Sequence, residues 1–298
     1  MMGITATLAA QGLHPRKKFG QHFLTDPRIL ESIADAAEVT AADTVLEIGP
    51  GLGHLTHILA RRAQRLVAVE VDAALAAHLQ SEFANAANVR IVQGDFLTAA
   101  PHAWILGADV WSAPLFAPPP AEPGSAGAFK IVANLPYYIT SAILRHVLEA
   151  PRKPQVIVAM VQREVAQRLT AQPPAMNLLA VSVQFFARAR VIRHIAPGAF
   201  YPPPQVTSAV VRLDVYDPPL FADIAPAHFF EIVRAGFGEK RKQLHNALTH
   251  NLKVEAREIA ATLARAQIDP TRRAETLTLA EWCALARALP NTPIVPKA

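Results

Sequence analysis

Between Thr44 and Leu169 the chain alternates between short apolar runs and helical stripes, and this constrains the fold more than any other feature. TVLEI, RLVAVEV, VRIVQ, FKIVA and QVIVAMV read as strands. HLTHILARR, AALAAHLQSEF, residues 140–148 and residues 163–169 read as the helices set among them. Residues 27–38 give a further amphipathic helix, with Ile29, Leu30, Ile33 and Ala37 on one stripe. Strands joined through helices pair in parallel, so an α/β doubly wound sheet is expected.

The pattern changes later in the chain. After a helix over residues 178–186, RARVIRHI and SAVVRLDV are two strands with only a turn-rich segment between them. They are expected as an antiparallel pair at the sheet edge. From Pro226 onward every pattern is helical. This predicts three parts: a basic N-terminal segment, 1–26; a catalytic domain, 27–216; and a smaller all-helical C-terminal domain, 217–298. Within the second part, residues 112–128 carry five prolines and read as a surface insertion.

Composition narrows the class. The 298 residues are 51% hydrophobic and 18% charged, enough for a sizeable core. The single cysteine, Cys283, excludes a disulfide framework and a multi-cysteine zinc site, which makes a reducing cytoplasm the expected location. No apolar run is long enough to span a bilayer, so no membrane partner is expected. His54 and His57 lie three apart on one helix without an evident third ligand, so no metal is expected. The net charge of +5 fits a polyanionic partner, or simply a basic soluble protein.

Three motifs fall at strand ends. In LEIGPGLGHLT a strand runs into glycines and then a helix, a place where a ligand can approach backbone amides. Glu70 ends the next strand and can accept hydrogen bonds from ribose hydroxyls. The loop departs from the dinucleotide fingerprint: counted from Gly49 or from Gly51, the last position is His54 or Thr56. Asp95, in QGDFL, can accept from an adenine amine, although a helix cap is the plainer use of such an aspartate.

The third motif is NLPYY, residues 134–138, closing the strand FKIVA. Adenine N6 is a poor nucleophile because its lone pair is delocalised into the ring. Two acceptors on the amine hydrogens, the Asn134 side-chain carbonyl and the Leu135 backbone carbonyl, would draw it toward a tetrahedral shape. Pro136 restricts Leu135 to extended geometry. Tyr137 offers a flat face to an unstacked base. The plainer alternative is a strand-ending turn with two packed tyrosines.

Taken with KKFGQHFLTD, VEVD, AFYPPPQVTSAVVRL and FGEKRKQLHNAL, these motifs resemble the rRNA adenine N6,N6-dimethyltransferases, in particular the small-subunit (16S) branch, the KsgA family. The resemblance runs from about Lys17 to Ala288. It implies a Rossmann-like S-adenosylmethionine-dependent methyltransferase sheet, with S-adenosyl-L-methionine as methyl donor touching His22, Leu24, Gly49, Glu70, Asp95 and Asn134. It implies catalysis by Asn134, Leu135 and Tyr137, with the target adenine clamped between Tyr137 and Phe200. It further implies two adjacent adenosines near the 3′ end of 16S rRNA as targets, within the 30S particle or its precursor, and a monomeric enzyme. His22 stands where some members carry asparagine.

Two basic clusters suit an RNA partner: Arg16, Lys17 and Lys18 before the cofactor segment, and Lys240, Arg241 and Lys242 opening a helix of the C-terminal domain. Three other readings stay open. They are a 23S rRNA adenine methyltransferase, an assembly factor whose role is binding, and a nicotinamide dehydrogenase.

Overall fold

The computed structural model describes Arg16, residues 21–106 and residues 128–289. Its strands are β1 (Phe23–Leu24), β2 (Thr44–Ile48), β3 (Arg65–Glu70), β4 (Val89–Gln93), β5 (Phe129–Asn134), β6 (Val156–Gln162), β7 (Ala187–Ile195), β8 (Phe200–Tyr201) and β9 (Ser208–Val215). Seven of them form one sheet in the order β4-β3-β2-β5-β6-β9-β7. From β4 through to β6 every neighbouring pair is parallel, and β9 runs antiparallel to β6. The two late strands therefore lie at the sheet edge, as their spacing implied.

The first helices are α1 (Pro27–Ala36), α2 (His54–Arg62), α3 (Ala73–Glu82), α4 (Pro101–Leu106) and α5 (Thr140–Leu148). Central strands such as β5 and β6 are apolar nearly throughout because both faces are covered. Ile33 and Leu59, on α1 and α2, are fully buried together with Val45 and Leu66 of the sheet. Asp26 starts α1 by accepting from the Arg28 amide, with Pro27 at the first turn, where its missing N–H costs nothing.

By compactness the chain forms two units, Met1–Ala166 with Ala189–Val215, and Gln167–Arg188 with Tyr216–Ala298. The expected boundary at residue 216 thus needs one change. Residues 167–188 cluster with the helical unit, not with the sheet that flanks them in sequence. The reason is aromatic packing: Phe185 stacks on Phe229 at 4.2 Å, and Ala180 and Val181 are buried in the same core. The remaining helices are α6 (Arg163–Leu169), α7 (Leu178–Gln184), α8 (Pro226–Phe237), α9 (Leu244–Leu252), α10 (Ala256–Arg265) and α11 (Leu279–Ala288). Thr278 and Glu281 form a reciprocal capping box at the start of α11, whose Trp282 is fully buried. Of the expected insertion, only Ala128 falls within the described residues.

Gly53 holds the turn into α2. Its φ of 79° lies in the left-handed region, and a Cβ there would meet Leu79 Cδ2 at 2.6 Å. Leu79 is fully buried on α3, so admitting the methyl group means shifting a side chain inside the core. Gly53→Ala should therefore cost about 2 kcal/mol or more through strain and overpacking. Differential scanning calorimetry should show a lower melting temperature; an unchanged one would contradict the assignment.

Candidate active site

The chain starts at β2 in mid-sheet, builds outward through β3 and β4, and returns to the other side of β2 with β5. The carboxyl ends of β2 and β5 flank the point where the winding reverses, where an open α/β sheet forms its ligand crevice. A cavity of about 240 Å³ lies there. His22, Leu24, Gly49, Glu70, Asp95, Asn134, Leu135 and Tyr137 all line it. Eight of the nine residues expected to bind cofactor or act on the base are thus brought together. Phe200 is not among the lining residues. It pairs with Leu24 across β1 and β8, is 4% exposed, and packs in the sheet core.

The glycine turn and Glu70 are one construction. Gly49 and Gly51 have φ of 67° and 61°, a region costly for other residues. The Gly49 amide donates to the Val69 carbonyl at 2.9 Å, which ties the end of β2 to β3. The Gly51 amide donates to Glu70 Oε2 at 3.0 Å, and the Asp72 amide donates to Oε1 at 2.9 Å. Each carboxylate oxygen is thus held by one backbone N–H and keeps further acceptor capacity. Burial raises the Glu70 pKa, and those two amides oppose the rise. Helix α2 begins beside this loop, so its positive end faces the cavity. Asp95 caps the short helical turn Phe96–Thr98 by accepting from the Leu97 amide at 3.0 Å. The cap and a place in the cavity lining coexist.

At the end of β5, the Asn134 side-chain amide donates to the His22 carbonyl at 3.2 Å. That bond uses the nitrogen end and leaves the oxygen as the acceptor. His22 is itself fixed: Nδ1 lies 2.7 Å from the Pro202 carbonyl, and its ring stacks on Tyr137 at 5.9 Å and 22°. The Tyr137 hydroxyl shares a 2.6 Å hydrogen bond with buried Ser208 on β9, and burial holds its phenol above the usual range. The Leu135 amide donates to the Met160 carbonyl at 3.2 Å, anchoring the turn to β6.

The basic residues fare differently. Arg16 forms a salt bridge at 3.3 Å with Asp72, the residue whose amide donates to Glu70 Oε1. Lys17 and Lys18 lie outside the described residues. Lys240, Arg241 and Lys242 are exposed but do not open a helix. They occupy the turn before α9, where Lys242 reaches Glu239 at 3.3 Å. Among the described residues, no group of three or more histidine, cysteine or acidic side chains could hold a metal. Sequence reasoning missed Val71, 44% exposed at the cavity, and Gln21, which reaches Asp72 at 3.5 Å. An apolar residue directly after a strand-ending acid was the signal available for Val71.

Glu47, two residues before Gly49, was also missed. It is 1% exposed and its Oε2 has no hydrogen-bond partner. Burial, with the Glu70 charge adding to it, pushes its carboxyl up from 4.5 to about 8. Between those values the folded state keeps a proton that the unfolded chain releases, so Glu47 makes stability fall as pH rises through that window. Glu47→Gln removes this dependence. Thermal melts at pH 5 and pH 8 should show a smaller loss of melting temperature in the variant than in the wild type; equal losses would contradict the assignment.

Comparison with known proteins agrees with this geometry. Residues 12–289 match the family model "Ribosomal RNA adenine dimethylase". A relative from Dehalococcoides mccartyi, ribosomal RNA small subunit methyltransferase A, is 43% identical over 94% of this chain and 90% of its own. The protein of that name from Moorella thermoacetica is 41% identical over 95% and 96%. Among solved structures, the 23S rRNA methyltransferase ErmE aligns with a TM-score of 0.66 at 28% identity, over 90% of this chain and 99% of that one. A dimethyladenosine transferase from Plasmodium falciparum shares the fold, with a TM-score of 0.71 at 22% identity over 89% and 96%. A family match across nearly the whole chain, on a fold with these residues around one cavity, places the protein in the ribosomal RNA adenine dimethylase family.

Proposed function

We propose that this protein is an S-adenosylmethionine-dependent 16S rRNA adenine N6,N6-dimethyltransferase, acting on two adjacent adenosines near the 3′ end of that RNA within the 30S subunit or its precursor. The observation that carries the reading is the meeting of Glu70, Asp95, Asn134 and Tyr137 in one cavity at the sheet's switch point. The small-subunit relatives, at 41–43% identity over more than nine-tenths of the chain, support 16S rRNA above 23S rRNA; the 23S enzyme's 28% supports the common fold and chemistry. A monomer in the cytoplasm completes the reading.

The residues present fit the methyl donor. Gly49 and Gly51 bring backbone without a side chain to the cavity lining, and Glu70 is set by two amides to accept from a diol. Asp95 has a second carboxylate oxygen beyond the one that caps the following turn, suited to an exocyclic amine. When bound, S-adenosylmethionine supplies an electrophilic methyl group on a positive sulfonium.

The protein's share is positioning. Asn134 Oδ1 and the Leu135 carbonyl accept the two N6 hydrogens of the target adenine and pull its lone pair out of conjugation. Tyr137, immobilised by Ser208 and His22, stacks on the base. No strong general base is needed, because the N6 proton becomes acidic as the new N–C bond forms. Such orientation supplies a large part of the rate. Phe200 would reach the base only after leaving its place in the core, so the clamp rests on Tyr137.

Unmethylated 30S particles and protein-free 23S rRNA, each incubated with labelled S-adenosylmethionine, test the reading. Label should appear as N6,N6-dimethyladenosine in 16S rRNA; label confined to 23S rRNA would overturn it. Asn134→Ala should lower kcat by about 10²-fold or more, the scale seen when one preorganised polar group is removed. Tyr137→Phe should stay within several-fold of wild type, because it keeps the stacking face. A Tyr137→Phe loss as deep as that of Asn134→Ala would contradict the assigned roles.

A further inference from the structure

Tyr138 stands apart from its neighbour. It is 60% exposed and is the one aromatic residue among the exposed large apolar side chains of the described residues. It nonetheless lines the same cavity as Tyr137. Tyr137 is held by Ser208 and His22, whereas no hydrogen bond or ring contact holds Tyr138 among the described residues. The turn that carries it is well fixed: the Ile139 amide donates to the Pro136 carbonyl at 3.3 Å, and α5 begins at Thr140. A flat ring is thus presented to solvent at the cavity from a hydrogen-bonded turn that leads into a helix. An exposed aromatic ring lining a cleft offers a π face on which an unstacked base can lie.

We propose that Tyr138 is the stacking platform for the nucleobase adjacent to the target adenosine in the RNA chain. The inference rests on the function proposed above and assigns a second base position to that site. When one adenine is drawn onto Tyr137, its chain neighbour is one phosphodiester linkage away. The tyrosine one residue from Tyr137, at the cavity mouth, is the surface that neighbour meets. An aromatic ring accepts any base through its π face, and a purine stacks best. Tyr138 therefore governs RNA affinity and the seating of the second adenosine, and leaves methyl donor binding alone.

Two measurements test this. In the first, a single-stranded oligoribonucleotide carries 2-aminopurine next to an adenosine. Wild type, Tyr138→Phe and Tyr138→Trp should quench its fluorescence on binding, and Tyr138→Ala should not. In the second, KM for unmethylated 30S particles should rise about tenfold in Tyr138→Ala, the effect of losing one stacked base. Affinity for S-adenosylmethionine and the melting temperature should be unchanged, and the aromatic variants should stay near wild type. Equal quenching by wild type and Tyr138→Ala would overturn the proposal, as would no quenching by wild type. A wild type that quenches the probe without methylating 30S particles would support the stacking platform and overturn the substrate reading instead.

Discussion

One hydrogen bond, from the Asn134 amide to the His22 carbonyl, decides which end of the Asn134 side chain is free at the cavity. An asparagine side chain offers a donor and an acceptor, and rotation exchanges them. Spending the donor on a fixed carbonyl leaves an acceptor, and an acceptor is what an amine nucleophile requires. The partner is fixed because β1 pairs with β8 and His22 reaches the Pro202 carbonyl. A segment outside the main sheet thus sets the polarity of a residue inside it. Arg16 and Gln21 both reach Asp72, the residue whose amide donates to Glu70.

The acids of the site divide by what surrounds them. Glu70 and Glu47 are both buried, yet only Glu70 has an amide on each oxygen. Those amides stabilise its charged form against the cost of burial. Glu47 lacks a partner on Oε2 and sits near the Glu70 charge, so its proton is retained to higher pH. The two acids thus differ in kind: Glu70 keeps acceptor capacity at the cavity with an amide on each oxygen, and Glu47 lies buried behind it with Oε2 unpartnered.

What the sequence made legible follows from length and periodicity. β2, β4, α2 and α5 are strong local patterns and fall where the sequence puts them. β1 and β8 are two residues each and about 175 residues apart, too short for periodicity and too distant for any turn signal. Residues 167–188 continue the catalytic segment without a break in sequence, and it is packing in space, with Met176, Ala180 and Val181 in the helical core and Phe185 stacked on Phe229, that groups them with the helical unit. Of the candidate site, the strand-end residues Gly49, Glu70, Asp95 and Asn134 were legible because a doubly wound sheet gathers such ends. Phe200 was not, because its burial depends on the β1–β8 pairing. Nor was Arg16, whose partner Asp72 is visible only in space.

In the proposed reaction Asn134 presents its oxygen to the target amine. A crystal structure of the protein with S-adenosylhomocysteine and adenosine tests it most directly. Adenosine N6 should lie within hydrogen-bonding distance of both Asn134 Oδ1 and the Leu135 carbonyl, with the Asn134 nitrogen still on His22. Adenosine bound with N6 turned away from Asn134, or an Asn134 side chain released from His22, would contradict it.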